Sequence, residues 1–497
     1  MNHISGGRGK PALSRLLFVG ICASSLVGCN TDKLVKVEDP AQLQPGATAT
    51  AGAVPALVNG ALRQFEAGYS GLGDDAFLTA SGVLTDEFAW GDSFTTRFAA
   101  DRRTLQPPQL GNISDNAFSR LQQSRVLGLR ALAGIDRFEA DLDDPNGLRA
   151  DVQNATGYDY VTLSEGWCSG VPFSNPPAEG DIDPNQIEYG APQTTTQMNV
   201  AAIAAFDAAL VADPSSQLAM VGRGRALLNL GRYPEAEAAV SGVGTTFVYL
   251  IEHSTNTDVQ NNSVNALMDN GRYTISNLEG GTTATGTALR PDNNTAATNA
   301  TAEGINFRSA NDPRLPYVPD GRCFTSSIFC YKLDNYPHLT SDVPLATGVE
   351  ARLIEAEAAM QRGDGVTMMA RINGLRAQVA ALLPLLYPEQ VQVFPAPTAG
   401  APSLAPLADP VTPDARRALL FRERAFWLYA TGHRQGDLRR LIRNYGLTQD
   451  VVFPSGPYFR AAGSNFGTDV AYPVPFNEET NNPQFNRAAC VTTSAGT

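Results

Sequence analysis

The sequence predicts a mainly α-helical fold in which paired helices support one irregular, loop-rich face with short β-hairpins. Three observations predict it. Apolar residues recur at helical spacing, as in Val54, Leu57, Val58, Ala61, Leu62 and Phe65. A helical pattern returns after 34 residues: Ala202, Phe206 and Ala209 recur as Ala236, Val240 and Val243. Strand-like alternation is weak, and its best examples are short stretches within 244–340.

The first residues read as an export signal. Arg8, Lys10 and Arg15 form a positive segment with no acid before Cys29, and Leu16–Val27 is almost wholly apolar. That stretch is too short to span a bilayer and suits the apolar core of a signal peptide. It ends in Leu26-Val27-Gly28-Cys29, small residues before a cysteine, as lipoprotein cleavage requires. Residues 1–28 are expected to be removed and Cys29 to carry lipid. One acyl chain anchors only marginally, whereas the two or three of a lipoprotein hold firmly. Residues 29–52, small and polar with Pro40 and Pro45, read as a tether.

The body follows as a helical region over 53–240, with helices expected near 114–139 and 147–168. Asp213-Pro214 ends the first helix of the repeat, Gly224 sits where two helices must approach, and Gly231-Arg232-Tyr233 makes the turn. This is the pattern of a tetratricopeptide (TPR) unit. A second such region spans Ala346–Arg376, with Ala356, Gly363-Asp364 and Ile372 in matching roles. A third begins at Ala415, with Ala418, Phe421, Ala425 and Leu428 as its stripe and Gly432 as its turn. Two stretches break the pattern. Residues 241–345, rich in Asn, Thr, Gly and aromatics, read as an ordered ligand face. Residues 384–413 carry eight prolines and read as a surface loop, closed by a helix start at Thr412-Pro413-Asp414.

Composition narrows the partners. Cleavage would remove three positive charges and no negative ones, taking the formal net charge from -13 to -16. Such a chain is a poor match for nucleic acid or anionic lipid. Four cysteines would remain unmodified in the mature chain: Cys168, Cys323, Cys330 and Cys490. An oxidising compartment favours two disulfides, and four cysteines allow three pairings. The short loop CFTSSIFC favours Cys323–Cys330, with Cys168–Cys490 as the second bond. No CxxC is present and the histidines are scattered, so neither a metal nor a cofactor is expected.

Five segments in order give a resemblance. They are the cleavage motif at Cys29, Asn311-Asp312-Pro313-Arg314-Leu315, and ARLIEAEAAMQRGD (351–364) with Arg371-Ile372-Asn373-Gly374-Leu375-Arg376. ERAFWLYATGHRQGDLRRL (423–441) follows, then Tyr472-Pro473-Val474-Pro475 with Glu478 and Asn482-Pro483. Together they resemble the SusD/RagB family of outer-membrane nutrient-binding lipoproteins over nearly the whole mature chain. The chain departs at its close, where the family's Gln-Asn-Pro-Gly-Tyr is replaced by Asn486-Arg487-Ala488-Ala489-Cys490. The resemblance implies about four TPR-like helical pairs, with a C-terminal helical region over 346–497. It implies a non-enzymatic protein, lipid-anchored in the outer membrane and facing the cell surface. It also implies a TonB-dependent transporter (SusC-like) as partner, with an oligosaccharide or peptide as ligand. A TPR scaffold that binds only protein, or a glycoside hydrolase using Asp86 or Glu87, are the rival readings.

Within that frame Trp90 stands out, flanked by Asp86-Glu87-Phe88-Ala89 and Gly91-Asp92. A tryptophan face can stack on sugar C–H groups, and neighbouring acids can bind hydroxyls. Trp90 and Asp86 are the first ligand candidates, followed by Tyr317, Tyr331 and Tyr336 of the irregular segment. Trp167 and Trp427 lie in helical patterns and are assigned to the core. The charges Glu423, Arg424, Arg434, Asp437, Arg439 and Arg440 are assigned to pairing between helices rather than to catalysis. Asp181-Ile182-Asp183-Pro184-Asn185 lacks the glycine of a calcium loop and is read as a turn.

Overall fold

A computed structural model describes residues 50–72, 75–175, 187–282, 287–290, 304–390, 402–460 and 463–496. The signal peptide, Cys29, most of the tether, the Asp181–Asn185 turn and the middle of the proline-rich stretch lie outside them.

Helix α1 (Val54–Tyr69) buries Val54, Leu57, Val58, Ala61 and Phe65, the stripe read from its spacing, and leaves Leu62 half-exposed. It lies against α4 (Asp115–Phe138), which leads to α5 (Pro145–Gly166). Asp144 starts α5 by accepting a hydrogen bond from the Gly147 amide at 2.9 Å. A capping box at Thr194 and Gln197 starts α6 (Thr195–Ala212). Ser216 does the same for α7 (Gln217–Asn229). From α7 the chain turns through Gly231 into α8 (Tyr233–Val240). Helices α10 (Gly348–Gln361) and α11 (Gly365–Ala377) follow the same plan around Gly363. Both turn glycines have positive φ, which a side chain would oppose.

Close approach rather than propensity sets the helix spacing. Phe206 of α6 wedges between Gly157 of α5 and Gly222 of α7. A Cβ at either glycine would fall 2.6 Å or 2.3 Å from the ring. Gly224 likewise meets Val240 of α8 and Ile354 of α10. The helices therefore stack in file: α1, α4, α5, α6 and α7, then α8, α10 and α11.

Short antiparallel ladders tie the irregular segments to this file. Strand β1 (Phe88–Trp90), between α2 (Phe77–Leu84) and α3 (Thr95–Asp101), pairs with β5 (Tyr273–Ile275). Strand β2 (Val171–Pro172) pairs with β3 (Pro192–Gln193) and β4 (Val248–Ile251) with β8 (Val343–Thr347). The hairpin of β6 (Tyr317–Arg322) and β7 (Phe329–Leu333) completes the set, with α9 (Ser263–Asp269) before β5. The disulfides join Cys168 to Cys490 and Cys323 to Cys330.

Two sequence expectations need correction. Residues 384–413 were assigned to a surface loop, yet α12 (Val379–Leu386) runs through Pro384 and buries Leu386 and, just beyond it, Tyr387. The described end of that stretch is also pinned. Asn373 bonds both the amide and the carbonyl of Leu407, and Arg376 donates to the Ala405 carbonyl. The third helical pair also differs from the other two. Helix α13 (Pro413–Trp427) packs on α10 and α11, whereas α14 (Arg434–Tyr445) packs on α2 and α5. The buried segment Leu428–His433 joins them. Phe421 of α13 meets Tyr445 of α14 edge-to-face at 5.5 Å and shares an apolar cluster with Leu438 and Leu441, and buried ion pairs add to that contact. Two short helices, α15 (Gln449–Val452) and α16 (Phe476–Asn481), follow.

Those ion pairs belong to a buried hub of charge. Asp437 accepts from Arg424 Nε and Nη2 at 2.7 and 2.8 Å and from Arg440 Nη2 at 3.0 Å. Arg440 also grips both oxygens of Glu357 on α10 at 2.9 Å. Arg314 and Arg376 share Glu423 at 2.7 Å each. Among the described residues Arg439 pairs with no carboxylate; it donates to the carbonyls of Ser164, Glu165 and Trp167 at the end of α5, and to that of Ala495. These are the charges the sequence reading gave to helix pairing.

Glu87 is fully buried in the same interior. One oxygen accepts from the Ala430 amide at 3.0 Å, and the other has no hydrogen bond. Burial pushes its carboxyl up to about 8, against the pull of the Ala430 amide and Arg434. A raised carboxyl keeps its proton in the folded state while the unfolded chain has lost it. Stability therefore falls as pH rises between about 4.5 and about 8 and is level above. Glu87→Gln keeps a neutral side chain and is expected to remove that decline, gaining on the order of 2–4 kcal/mol at pH 8.5. Urea unfolding at pH 6 and pH 8.5 measures it, and an unchanged slope in the variant would contradict the assignment.

Candidate functional site

The segment 86–98 runs from the interior to the surface, and Trp90 stands where it emerges. Strand β1 places Trp90 opposite Tyr273, and its amide donates to Asp101 at 2.9 Å. Its indole Nε1 donates to Asp92. Asp92 also takes the Phe94 amide at 2.9 Å and Arg97 Nη1 at 2.7 Å, so one buried carboxylate shapes the whole turn. Arg97 is held on its other side by Asp75 at 2.8 Å. Burial raises the Asp101 carboxyl to about 6, although the Tyr458 hydroxyl and the Trp90 amide pull it down.

A second chain segment completes the surface. Gly91 donates to the Arg272 carbonyl and accepts from the Thr325 amide. A Cβ on Gly91 would lie 2.7 Å from the Gly271 carbonyl and 3.0 Å from Cys323 Cβ, so the two loops touch there without room for a side chain. The Cys323–Cys330 disulfide closes the touching loop. Beside it Phe324 is 56% exposed, and Phe94 is 53% exposed. Arg272 lies over both rings, 4.0 Å from the Phe324 centroid and 5.5 Å from that of Phe94. Arg460 lies 4.2 Å over Trp90, whose other neighbour is Phe98 at 4.9 Å. The result is a shelf of Trp90, Phe94 and Phe324 threaded by guanidinium groups. Such a surface offers flat apolar faces for C–H groups and fixed donors for oxygen.

Of the sequence candidates, the structure brings only Trp90 to this shelf. Asp86 is 2% exposed, and Arg434 clamps both its oxygens at 2.6 and 2.8 Å, so its carboxylate belongs to the scaffold. Tyr336 is buried with its hydroxyl on the Ala430 carbonyl at 2.9 Å. Tyr317 and Tyr331 are buried edge-to-face across the β6–β7 hairpin, with Arg308 4.0 Å over Tyr331. Sequence neighbours of Trp90 could not all follow it outward, because β1 is only three residues long and starts inside the core. Phe94, Arg272 and Phe324 escaped the sequence reading. Phe324 had a signal: a large aromatic directly after a cysteine in an eight-residue disulfide loop has little core to enter.

Among the described residues no cluster of His, Cys, Asp and Glu could hold a metal ion. No protein-family model matches the sequence, and no curated protein is similar to it. Solved structures do match in fold. A SusD superfamily protein from Bacteroides vulgatus superposes with a TM-score of 0.57 at 12% identity, covering 88% of this chain and 98% of its own. A SusD/RagB family protein from Bacteroides thetaiotaomicron gives 0.55 at 13% identity, covering 87% and 96%. A laminarin-binding SusD-like protein gives 0.52 at 15% identity, covering 87% and 99%. The likeness is one of fold: the chain has the SusD-like architecture of helical pairs carrying an irregular face.

Proposed function

We propose that this protein captures an oligosaccharide on the Trp90 shelf and passes it to a TonB-dependent transporter, from a lipid-anchored position on the outer membrane. The observation that carries the ligand class is the exposed aromatic pair Phe94 and Phe324 astride Arg272, beside the half-buried Trp90. Exposed aromatic rings held rigidly by buried carboxylates cost little ordering entropy on binding. The laminarin-binding SusD-like protein of the same fold supports a glycan over a peptide. The anchor and the transporter rest on the Cys29 motif and on the five ordered segments. Recovery of a TonB-dependent barrel with the lipoprotein from detergent-solubilised membranes is the expected result for the partner.

The shelf itself is tested by Trp90→Ala. Affinity for the bound oligosaccharide, found by screening a glycan panel by calorimetry, is expected to fall by about 1–3 kcal/mol. The circular dichroism spectrum should not change, because Trp90 sits at the rim while Trp167 and Trp427 are buried. Equal affinity in the variant would remove the shelf from the binding surface.

A further inference from the structure

Charge is sorted by depth at the Trp90 shelf. The carboxylates beneath it, Asp75, Asp92, Asp101 and Glu279, are at most 2% exposed, and each is engaged from within. Arg97 takes Asp92 at 2.7 Å and Asp75 at 2.8 Å. Asp101 accepts from the Trp90 amide and the Tyr458 hydroxyl, and Glu279 accepts from Ser276 at 2.6 Å. The exposed acids on the same segments, Asp269 and Asp320, are shared by Lys332 at 2.8 and 3.2 Å. Among the described residues, the shelf therefore offers a ligand no unengaged carboxylate.

The guanidinium groups face the other way. The Arg272 side chain is 22% exposed. Its Nη1 is closed off, 3.9 Å from Asp92, whereas Nε and Nη2 are open to solvent and make no hydrogen bond among the described residues. Stacking on Phe324 at 4.0 Å uses the flat face of the group and leaves its N–H edge for oxygen. Arg322 directly precedes the Cys323–Cys330 loop and lies 5.3 Å over Phe329. It is exposed, with neither a hydrogen bond nor a carboxylate partner among the described residues. The aromatic faces of the shelf are thus edged by cationic donors, with the balancing anions sunk below the surface.

That arrangement separates two kinds of glycan. A neutral sugar hydroxyl brings a proton as well as lone pairs, and is best met by carboxylates beside donors. A carboxylate or a sulfate brings acceptors only, and its bonds to guanidinium are charge-assisted, roughly twice as strong as neutral ones. The negative net charge of the chain opposes such a ligand only from afar, because at physiological salt charges beyond about 8 Å are largely screened. We infer that the shelf selects oligosaccharides bearing anionic groups, with Arg272 and Arg322 as the residues that pair with them. This rests on the Trp90 shelf being the glycan site. Two sources carry such oxygens: the carboxylate of a uronic acid and a sulfate ester.

Calorimetry on the full chain tests the inference with tetragalacturonate and its methyl ester, a κ-carrageenan tetrasaccharide and its desulfated form, and laminaritetraose. At least one anionic probe is expected to bind about tenfold tighter than its neutral counterpart, and to weaken as salt is raised. Tighter binding of tetragalacturonate would identify uronate as the source, and tighter binding of the carrageenan probe sulfate. Arg272→Gln and Arg322→Gln should each lower the ratio of charged to neutral affinity about tenfold. The second variant changes an exposed, unpaired side chain, so a folding defect in the first would not mask the outcome. A neutral probe bound as tightly as its charged counterpart, affinity indifferent to salt, or a ratio unchanged in both variants would overturn the inference and leave glycan capture standing. Binding of no probe at all would overturn the glycan reading itself, and this inference with it.

Discussion

Asp437→Asn is expected to destabilise the protein by about 3–5 kcal/mol, the range for removing one partner from a buried ion pair. Asp437 is the shared anion of Arg424 and Arg440, and Glu357 alone cannot serve both: it grips Arg440 but stands 3.9 Å from Arg424. Neutralising Asp437 leaves two guanidinium groups and one carboxylate in the interior. Burial favours the protonated acid, but Arg424 and Arg440 overcome it and hold the Asp437 carboxyl well below the usual carboxylate range. The sign follows from that depression. The contribution is complete above the unfolded value near 3.8 and is lost as pH falls below it. The gap in unfolding free energy between parent and variant should therefore be widest at neutral pH and should close in strong acid. A gap that stays constant down to pH 2 would mean that packing, not charge, is what the substitution disturbs.

Loss of the Cys168–Cys490 bond should cost about 4–5 kcal/mol, and loss of Cys323–Cys330 about 2 kcal/mol. Cross-links restrain the unfolded chain more as the closed loop lengthens, and these loops span separations of 322 and 7 residues. The long bond also acts locally. It fastens the 487–490 turn to the end of α5, where the Cys168 amide meets the Tyr472 carbonyl at 2.9 Å and Arg439 gathers the Trp167 carbonyl. The short bond instead shapes the loop that presents Phe324. Paired Cys→Ser variants, compared by urea unfolding and by oligosaccharide affinity, should separate these effects: stability falls mainly in the first, affinity mainly in the second. Similar losses of stability in both would refute the loop-length argument.

How much of this was legible depends on how local the signal was. The stripe of α1, the glycine turns at Gly231 and Gly363, and the Thr412 cap are written within a few residues of one another, and periodicity finds them. Gly432 does make such a turn, with a φ of 74°, but α13 and α14 also pack on α10, α11, α2 and α5, far away in sequence. No window on the chain contains that choice. Pro384 opened the stretch read as a surface loop, yet the burial of Leu382, Leu383 and Leu386 outweighs the lost hydrogen bond and α12 continues through it. At the shelf, Trp90 was visible because a tryptophan among acids and glycine is an odd core residue. Asp86 was misplaced because the cation that claims it, Arg434, is 348 residues away. Arg272 joins the shelf through β5 pairing with β1, a long-range event that composition cannot announce.

The charge hub also constrains the order of events as the chain emerges N-terminus first. Asp86 precedes Arg434 and Glu357 precedes Arg440, so these two acids wait for a cation made later, whereas Glu423 and Asp437 follow Arg314 and Arg424, which hold them. Until then, early compaction of the leading helices would strand bare carboxylates away from water, which is costly. The contacts that bury Asp86 and Glu357 should thus lock only once residues 434–440 are made. A design that swaps these two pairs for apolar residues is expected to match the parent's stability at equilibrium and yet to compact before the chain is complete.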